Sequence, residues 1–125
     1  MINYRTLQEI QKLETKPELS KIPTNFYEEC RKFIEEKTKE YTKTLNPEKR
    51  LLVGNSIEII SEIRELRYEK IVHMAAIGNP SPNMVGSEKN LYVDLRKTCK
   101  DYKEDTRGED KNDEYNIHYR RQNKQ

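Results

Sequence analysis

The chain has 125 residues, of which 37% are charged and 33% are hydrophobic, and its formal net charge is +2. Soluble domains contain roughly 25% charged and 45–50% apolar residues, so we expect one small domain whose core is thin or completed by a partner. No apolar run is long enough for a transmembrane helix or a signal peptide, so we expect a cytoplasmic protein. The spacing of Cys30 and Cys99 matches no metal or redox motif, which predicts free, partly buried thiols.

Acidic and basic residues are interleaved along the whole chain. When the chain is divided after residues 23, 46, 77 and 104, no segment has a net charge above +1. A nucleic-acid-binding surface usually concentrates Lys and Arg, because contacts with phosphates supply most of the affinity. The distribution therefore favours solvated helix faces of mixed charge over a dedicated nucleic-acid site.

The N-terminal part predicts a short helix and a connector. Three apolar residues at three-residue spacing predict a helix over 3–15, namely Leu7, Ile10 and Leu13. Pro17 ends this helix, because the residue before a proline avoids the helical conformation. The connector over 16–23 has prolines near both ends, and we expect Leu19 and Ile22 to hold it against the core.

Two longer helices follow the connector. Thr24 or Asn25 is predicted to cap a helix over 26–44, which has an aromatic start and a polar second half that should face solvent or a partner. Asn46 then caps a second long helix, and Pro47 occupies its first position, where no N–H is needed. This helix carries a wide apolar stripe up to its predicted stop at Gly78, so we expect it to lie centrally in the fold.

A loop over 78–86 and a last helix complete the prediction. Ser87 is expected to cap this helix, which should fade near residue 104. The segment 105–125 is rich in charge and poor in aliphatic residues, which is typical of a disordered tail. The sequence therefore predicts an all-α bundle of four to five helices over residues 1–104 and a flexible polar tail, or a truncated linker, over 105–125.

The sequence contains no motif that predicts catalysis, a metal site or a cofactor. It has no glycine-rich phosphate loop, no His-Glu-x-x-His and no paired cysteines. His73 is more typical of a packed or solvated helix histidine than of a base, so a small helical enzyme rests only on scattered His and Cys residues. Three basic residues share one side of the central helix and could form ion pairs or contact phosphates: Arg64, Arg67 and Lys70. A helical nucleic-acid-binding protein is therefore the alternative hypothesis.

Three blocks of the sequence resemble archaeal GINS subunits of the A-domain-first type. The first is Leu7-x-x-Ile10 followed by Glu14-x-x-Pro17-x-Leu19-x-x-Ile22-Pro23-x-x-Phe26-Tyr27. The second is Glu62-Ile63-Arg64-x-x-Arg67-x-x-Lys70-Ile71-x-x-x-Ala75, and the third is Leu91-Tyr92-x-x-Leu95. Together they cover about residues 4–100 in the family's order.

The resemblance implies a function as well as a fold. It implies a helical A domain, and the polar segment after residue 104 is too short for the β-rich B domain that follows in this subunit type. The chain is then either cut in the linker or a variant without that domain. The resemblance also implies a non-catalytic subunit of a four-subunit complex, assembled with a paralogous GINS subunit or with copies of itself.

The implied complex acts in DNA replication. It supports the MCM replicative helicase together with a Cdc45/RecJ-like protein, near the nucleoid and with at most weak or indirect DNA contact. The apolar stripe of the central helix is too wide for one short helix to cover, which agrees with assembly. We therefore expect the partner interface to involve Phe26, Tyr27, Ile59, Ile60, Ile63, Leu66 and Ile71.

Overall fold

A computed structural model describes residues 2–111 of the chain, with side chains up to residue 105. Within this range the chain forms four α-helices and no strand. They are α1 (Tyr4–Glu14), α2 (Phe26–Thr44), α3 (Pro47–Ile77) and α4 (Glu88–Lys111). The all-α prediction and the long central helix are confirmed. Most of the predicted tail over 105–125 lies outside the described residues.

Local sequence signals explain most of the helix ends. The side chain of Asn46 accepts a hydrogen bond from the Glu48 amide at 2.8 Å, which confirms the predicted cap of α3. Gly78 adopts a φ of 77° and donates its N–H to the Met74 carbonyl, which ends α3 as predicted. Asn25 occupies the N-cap position of α2, but its side chain makes no capping bond there. Its φ of −103° and ψ of 26° differ from the extended conformation of an ordinary N-cap.

Helix α4 continues to Lys111, beyond the end predicted near residue 104. The prediction relied on the loss of apolar residues, but a solvent-facing helix needs no continuous apolar face. Lys97 and Asp101 form an i,i+4 ion pair at 2.8 Å, and the Lys103 ammonium donates to the Ala76 carbonyl at 2.9 Å. Both contacts lie just before the predicted end, and they show that a polar helix face is held there without burial.

The other three helices all pack along α3. Helix α1 runs in the same direction as α3, since Gln11 bonds to Glu62 and Glu14 bonds to Arg67. Helix α2 runs in the opposite direction, since its end pairs with the start of α3 through Glu40 and Lys49. Helix α4 again follows the direction of α3, since Glu88 bonds to Arg67 and Arg96 bonds to the Ala75 carbonyl.

The apolar core has two parts. The larger part lies between α1, α2 and the middle of α3, and it includes the connector residue Ile22. The smaller part joins the connector, α3 and the 78–87 loop through Leu19, Ile71 and Met84. Burial of Leu19 and Ile22 confirms that they hold the connector against the core.

Candidate protein-protein interface

A buried arginine organises the middle of the molecule. Arg67 on α3 is fully buried, and all five of its N–H donors have acceptors. Its Nε and Nη2 atoms donate to the two oxygens of Glu88 at 2.8 and 2.9 Å. Its Nη1 atom donates to Glu14 Oε1 and to the Ser20 carbonyl, both at 2.9 Å, and its Nη2 atom also donates to the Asn83 carbonyl at 2.8 Å. One guanidinium therefore joins α1, the connector, the 78–87 loop and α4 to α3.

Lys70 extends this cluster by one helical turn. Its Nζ atom lies 2.6 Å from Glu14 Oε2 and also donates to the carbonyls of Glu14 and Glu18 at 2.8 and 2.7 Å. The two cations balance the carboxylates of Glu14 and Glu88. We call these four residues the ion cluster. Its two positive and two negative charges sum to zero, and each buried charge lies beside an opposite one.

The electrostatics of the ion cluster follow from this pairing. Burial alone would raise the pKa of Glu14, but hydrogen bonds from Lys70, Ser20 and Arg67 outweigh it and hold that pKa below 4.5. The pKa of Glu88 is likewise lowered, because hydrogen bonds from Arg67, the Val85 amide and Tyr27 outweigh the effect of burial. Both glutamates are therefore ionised at neutral pH, where the cluster is fully paired.

One face of α3 has no covering helix in the described structure. Its side chains recur at helical spacing, and all of them are exposed: Ile57, Ser61, Arg64, Tyr68 and Val72. Two hollows of about 690 and 310 Å³ lie along this face. The larger hollow is bounded by α2, and the smaller one is bounded by the start of α4. Tyr27 and Arg64 line both hollows, so the two hollows are adjacent, and we call them together the α3 groove.

The seven predicted interface residues divide into two groups. Three are half-buried, namely Tyr27, Ile60 and Leu66. The other four are buried inside the chain: Phe26, Ile59, Ile63 and Ile71. They form part of the chain's own core, because α1, α2 and the connector together cover the stripe that the sequence analysis left open. The sequence analysis did not name the exposed apolar residues Ile57 and Tyr68, which share one helical face with Arg64.

The three predicted basic residues differ in their burial and in their partners. Arg67 and Lys70 are held in the ion cluster, and only Arg64 is exposed. The Arg64 guanidinium lies over the Tyr27 ring, 4.4 Å from its centroid. The three residues therefore do not form a continuous cationic surface. The sequence analysis also did not identify Glu14 and Glu88 as the partners of Arg67 and Lys70.

The predicted thiols and His73 are placed as follows. Both cysteines are free, as expected, with Cys30 buried and Cys99 half-buried. Burial raises the pKa of the Cys30 thiol to about 12, so it is protonated at neutral pH.

His73 is exposed at a cleft of about 720 Å³ between the connector and the 78–87 loop. Within the described residues, no group of three or more His, Cys, Asp or Glu side chains is arranged to hold a metal ion.

These features define the described chain as an all-helical domain. The ion cluster holds its interior together, and the central helix keeps one face exposed. None of the described helices is long and apolar enough to cross a membrane. A search of curated proteins found no significant match, and neither did a search of solved structures.

A family model matches nearly the whole chain. The model for the GINS complex subunit Psf2/Psf3-like N-terminal domain matches residues 4–123. The chain therefore belongs to this family of GINS subunits, which act in DNA replication as non-catalytic structural subunits. The resemblance seen in the three sequence blocks is thus confirmed at the level of the GINS family.

Proposed function

We propose that this chain is a non-catalytic subunit of an archaeal GINS complex of the A-domain-first type. The match to the family over residues 4–123 carries the proposal. In this proposal the chain assembles into a tetramer, with a paralogous GINS subunit or with copies of itself. The tetramer supports the MCM helicase together with a Cdc45/RecJ-like protein, and the chain contributes binding surfaces rather than chemistry.

The architecture supports this role. A scaffold subunit must present fixed surfaces, and the ion cluster holds both irregular segments of the chain against α3. Nucleic-acid binding has less support, because Arg67 and Lys70 donate their hydrogen bonds to carboxylates and carbonyls inside the chain. One exposed arginine on that row is a weak basis for phosphate binding, which usually depends on several cations.

Light scattering after size exclusion tests the assembly. The full chain, of 15.0 kDa, is measured alone and mixed with a GINS paralogue from the same organism. We expect a species with the mass of four subunits in at least one sample. A monomer in both samples would contradict assembly, and a titration with DNA at low salt would then test the alternative function.

A helicase assay tests the second half of the proposal. MCM-dependent unwinding of a forked DNA is measured with MCM alone, with the assembled complex, and with the complex plus the Cdc45/RecJ-like protein. We expect faster unwinding when the assembly is present. Unchanged unwinding by a well-formed tetramer would contradict the helicase role and leave the assembly intact.

A further inference from the structure

We propose that residues 93–111 of α4, which we call the strap, open from α3 and close again while the first turn of α4 and the other three helices stay in place. Two cations of the strap, Arg96 and Lys103, hold it closed by binding the carboxyl end of α3. This inference goes beyond the proposed function, because it concerns a motion within one subunit and requires no partner.

The first turn of α4 is fixed to the rest of the fold. Glu88 is 6% exposed, and it accepts hydrogen bonds from Arg67 on α3 and, at 2.7 Å, from the Tyr27 hydroxyl on α2. Half-buried Leu91 and Tyr92 pack against the smaller part of the core. Opening at this point would leave the Arg67 charge without one of its two carboxylates, which is strongly unfavourable in the interior. The start of α4 is therefore the fixed end of the strap.

The strap itself contributes little to the core. Between residues 93 and 105, where the structure describes the side chains, Leu95, Arg96 and Cys99 are half-buried and the others are exposed. Helices α1 and α2, in contrast, each bury at least two apolar side chains in the larger part of the core. A segment with few buried apolar side chains opens at a lower free energy than the core, because opening it exposes little apolar surface to water. The strap therefore differs from the other helices in what holds it.

Two polar contacts join the strap to the end of α3. Arg96 Nη1 donates to the Ala75 carbonyl at 3.0 Å, and Lys103 Nζ donates to the Ala76 carbonyl at 2.9 Å. Both carbonyls lie in the last turn of α3, where the helix dipole is negative and attracts cations. The Lys103 contact is exposed and the Arg96 contact is partly buried, so water can replace these partners when the strap opens. The contacts favour the closed strap without fixing it permanently.

Hydrogen exchange of the full chain, followed by mass spectrometry, tests the motion. The amides of residues 97–103 decide the result, because they lie about two turns or more from either end of α4 and are not subject to ordinary fraying. We expect them to exchange at least about a hundredfold faster than the amides in the middle of α3. Their exchange should also respond weakly to urea below the unfolding transition, because a local opening exposes little surface. Protection equal to that of α3 would overturn the proposal.

Substitution of Arg96 tests the closing contacts. Arg96→Met removes the guanidinium and keeps an unbranched side chain, and Lys100→Met is the matched control at an exposed site of the strap. We expect Arg96→Met to speed exchange in the strap by about tenfold, because it loses a hydrogen bond from a charged donor. Exchange in α1 and α2 should stay unchanged, and Lys100→Met should behave like the unmodified chain. If Arg96→Met matches the control, Arg96 does not hold the strap closed and that part of the proposal is wrong.

The two natural cysteines supply a second, independent readout. Cys99 is half-buried in the strap, whereas Cys30 is buried in the core, and both are free. Alkylation with iodoacetamide is followed at each cysteine by mass spectrometry in the unmodified chain and in Arg96→Met. We expect the substitution to speed the labelling of Cys99 and to leave that of Cys30 unchanged. An equal acceleration at both cysteines would show that α4 opens only when the whole chain unfolds, and the proposal would then be wrong.

Discussion

Arg67 occupies a position that the helical register assigns to the core. Ile63, Arg67, Ile71 and Ala75 are spaced four residues apart on α3, and all four are fully buried. A guanidinium on this face can be accommodated only if carboxylates are buried with it, because an unpaired buried charge is strongly unfavourable. Glu14 comes from the last turn of α1 and Glu88 from the first turn of α4. The pairing therefore links three helices through one side chain.

Substitution of Arg67 should be far more harmful than substitution of Arg64. Arg67→Met leaves Glu88 buried without a cation and leaves Glu14 with Lys70 alone, so we expect a loss of about 3–5 kcal/mol in the free energy of unfolding. Arg64→Met, three residues away on the exposed face, should lower it by no more than about 1 kcal/mol, because only the contact with the Tyr27 ring is lost. Urea denaturation followed by circular dichroism measures both. Similar losses in the two variants would show that the ion cluster does not stabilise the fold.

At the scale of the single helix, α3 contains one glycine inside it and one at its end. Gly54 is exposed in the helix interior, and a Cβ added there would meet nothing within 4 Å. Gly78 has a φ of 77°, and a Cβ there would lie 2.8 Å from the Arg96 guanidinium carbon. Arg96 itself donates to the Ala75 carbonyl at 3.0 Å, so it is not free to move away without losing a bond at the end of α3. The same residue type therefore has opposite roles at the two positions.

The two alanine substitutions should shift stability in opposite directions. Gly54→Ala removes backbone freedom from the unfolded chain without a clash, so we expect a gain of about 0.5–1 kcal/mol. Gly78→Ala forces a left-handed conformation on a residue with a Cβ and displaces Arg96, so we expect a loss of at least about 1–2 kcal/mol. Thermal melting of the two variants measures the difference. A stabilising Gly78→Ala would contradict the close approach of Arg96 to the helix end.

The element boundaries show how far local signals reach. Asn46, Pro47 and Gly78 set the two ends of α3 through contacts within one or two turns, and the sequence analysis placed both ends correctly. The end of α4 was predicted too early, because the prediction relied on the loss of apolar residues, whereas a polar helix needs no apolar face. Lys103, close to the predicted end, donates to the Ala76 carbonyl across 27 residues, and such a contact leaves no local pattern.

For the molecule as a whole, the ion cluster couples folding to acid pH. The pKa values of Glu14 and Glu88 are below 4.5 in the folded chain, so the folded state binds fewer protons than the unfolded state. Their stabilising contribution is therefore complete above the unfolded pKa, near 4.5, and is lost as the pH falls through the lowered folded values. The pairing affects the connector, the 78–87 loop and α4 together, because all three bond to Arg67.

Acidification from pH 7 to pH 3 should therefore lower the urea midpoint of the chain markedly. Glu88→Gln should be less stable at pH 7 and should lose less on acidification, because one of the two coupled carboxylates is gone. Glu58→Gln, which removes an exposed carboxylate of α3, is the control and should follow the unmodified chain. An identical pH dependence in Glu88→Gln and the unmodified chain would contradict the lowered pKa of Glu88.

The sequence by itself determined the helices, their order and the central position of α3. Apolar spacing, N-caps and glycine stops act within a few residues, so they can be recognised without a structure. The family resemblance was also carried by local blocks, such as the one from Leu7 to Tyr27. The same blocks contained Glu14, Arg64, Arg67 and Lys70. No local pattern showed that three of them are paired inside the fold while Arg64 is exposed.

Only the tertiary structure decided which residues are buried together and which are left for a partner. Arg67 and Glu14 are 53 positions apart, and their pairing depends on α1 packing along α3. Helices that are distant in sequence also bury four of the predicted interface residues, namely Phe26, Ile59, Ile63 and Ile71. Arg64 stayed exposed on the face that no described helix covers. Burial depends on the sum of long-range contacts, and a local pattern specifies only the face on which a residue lies.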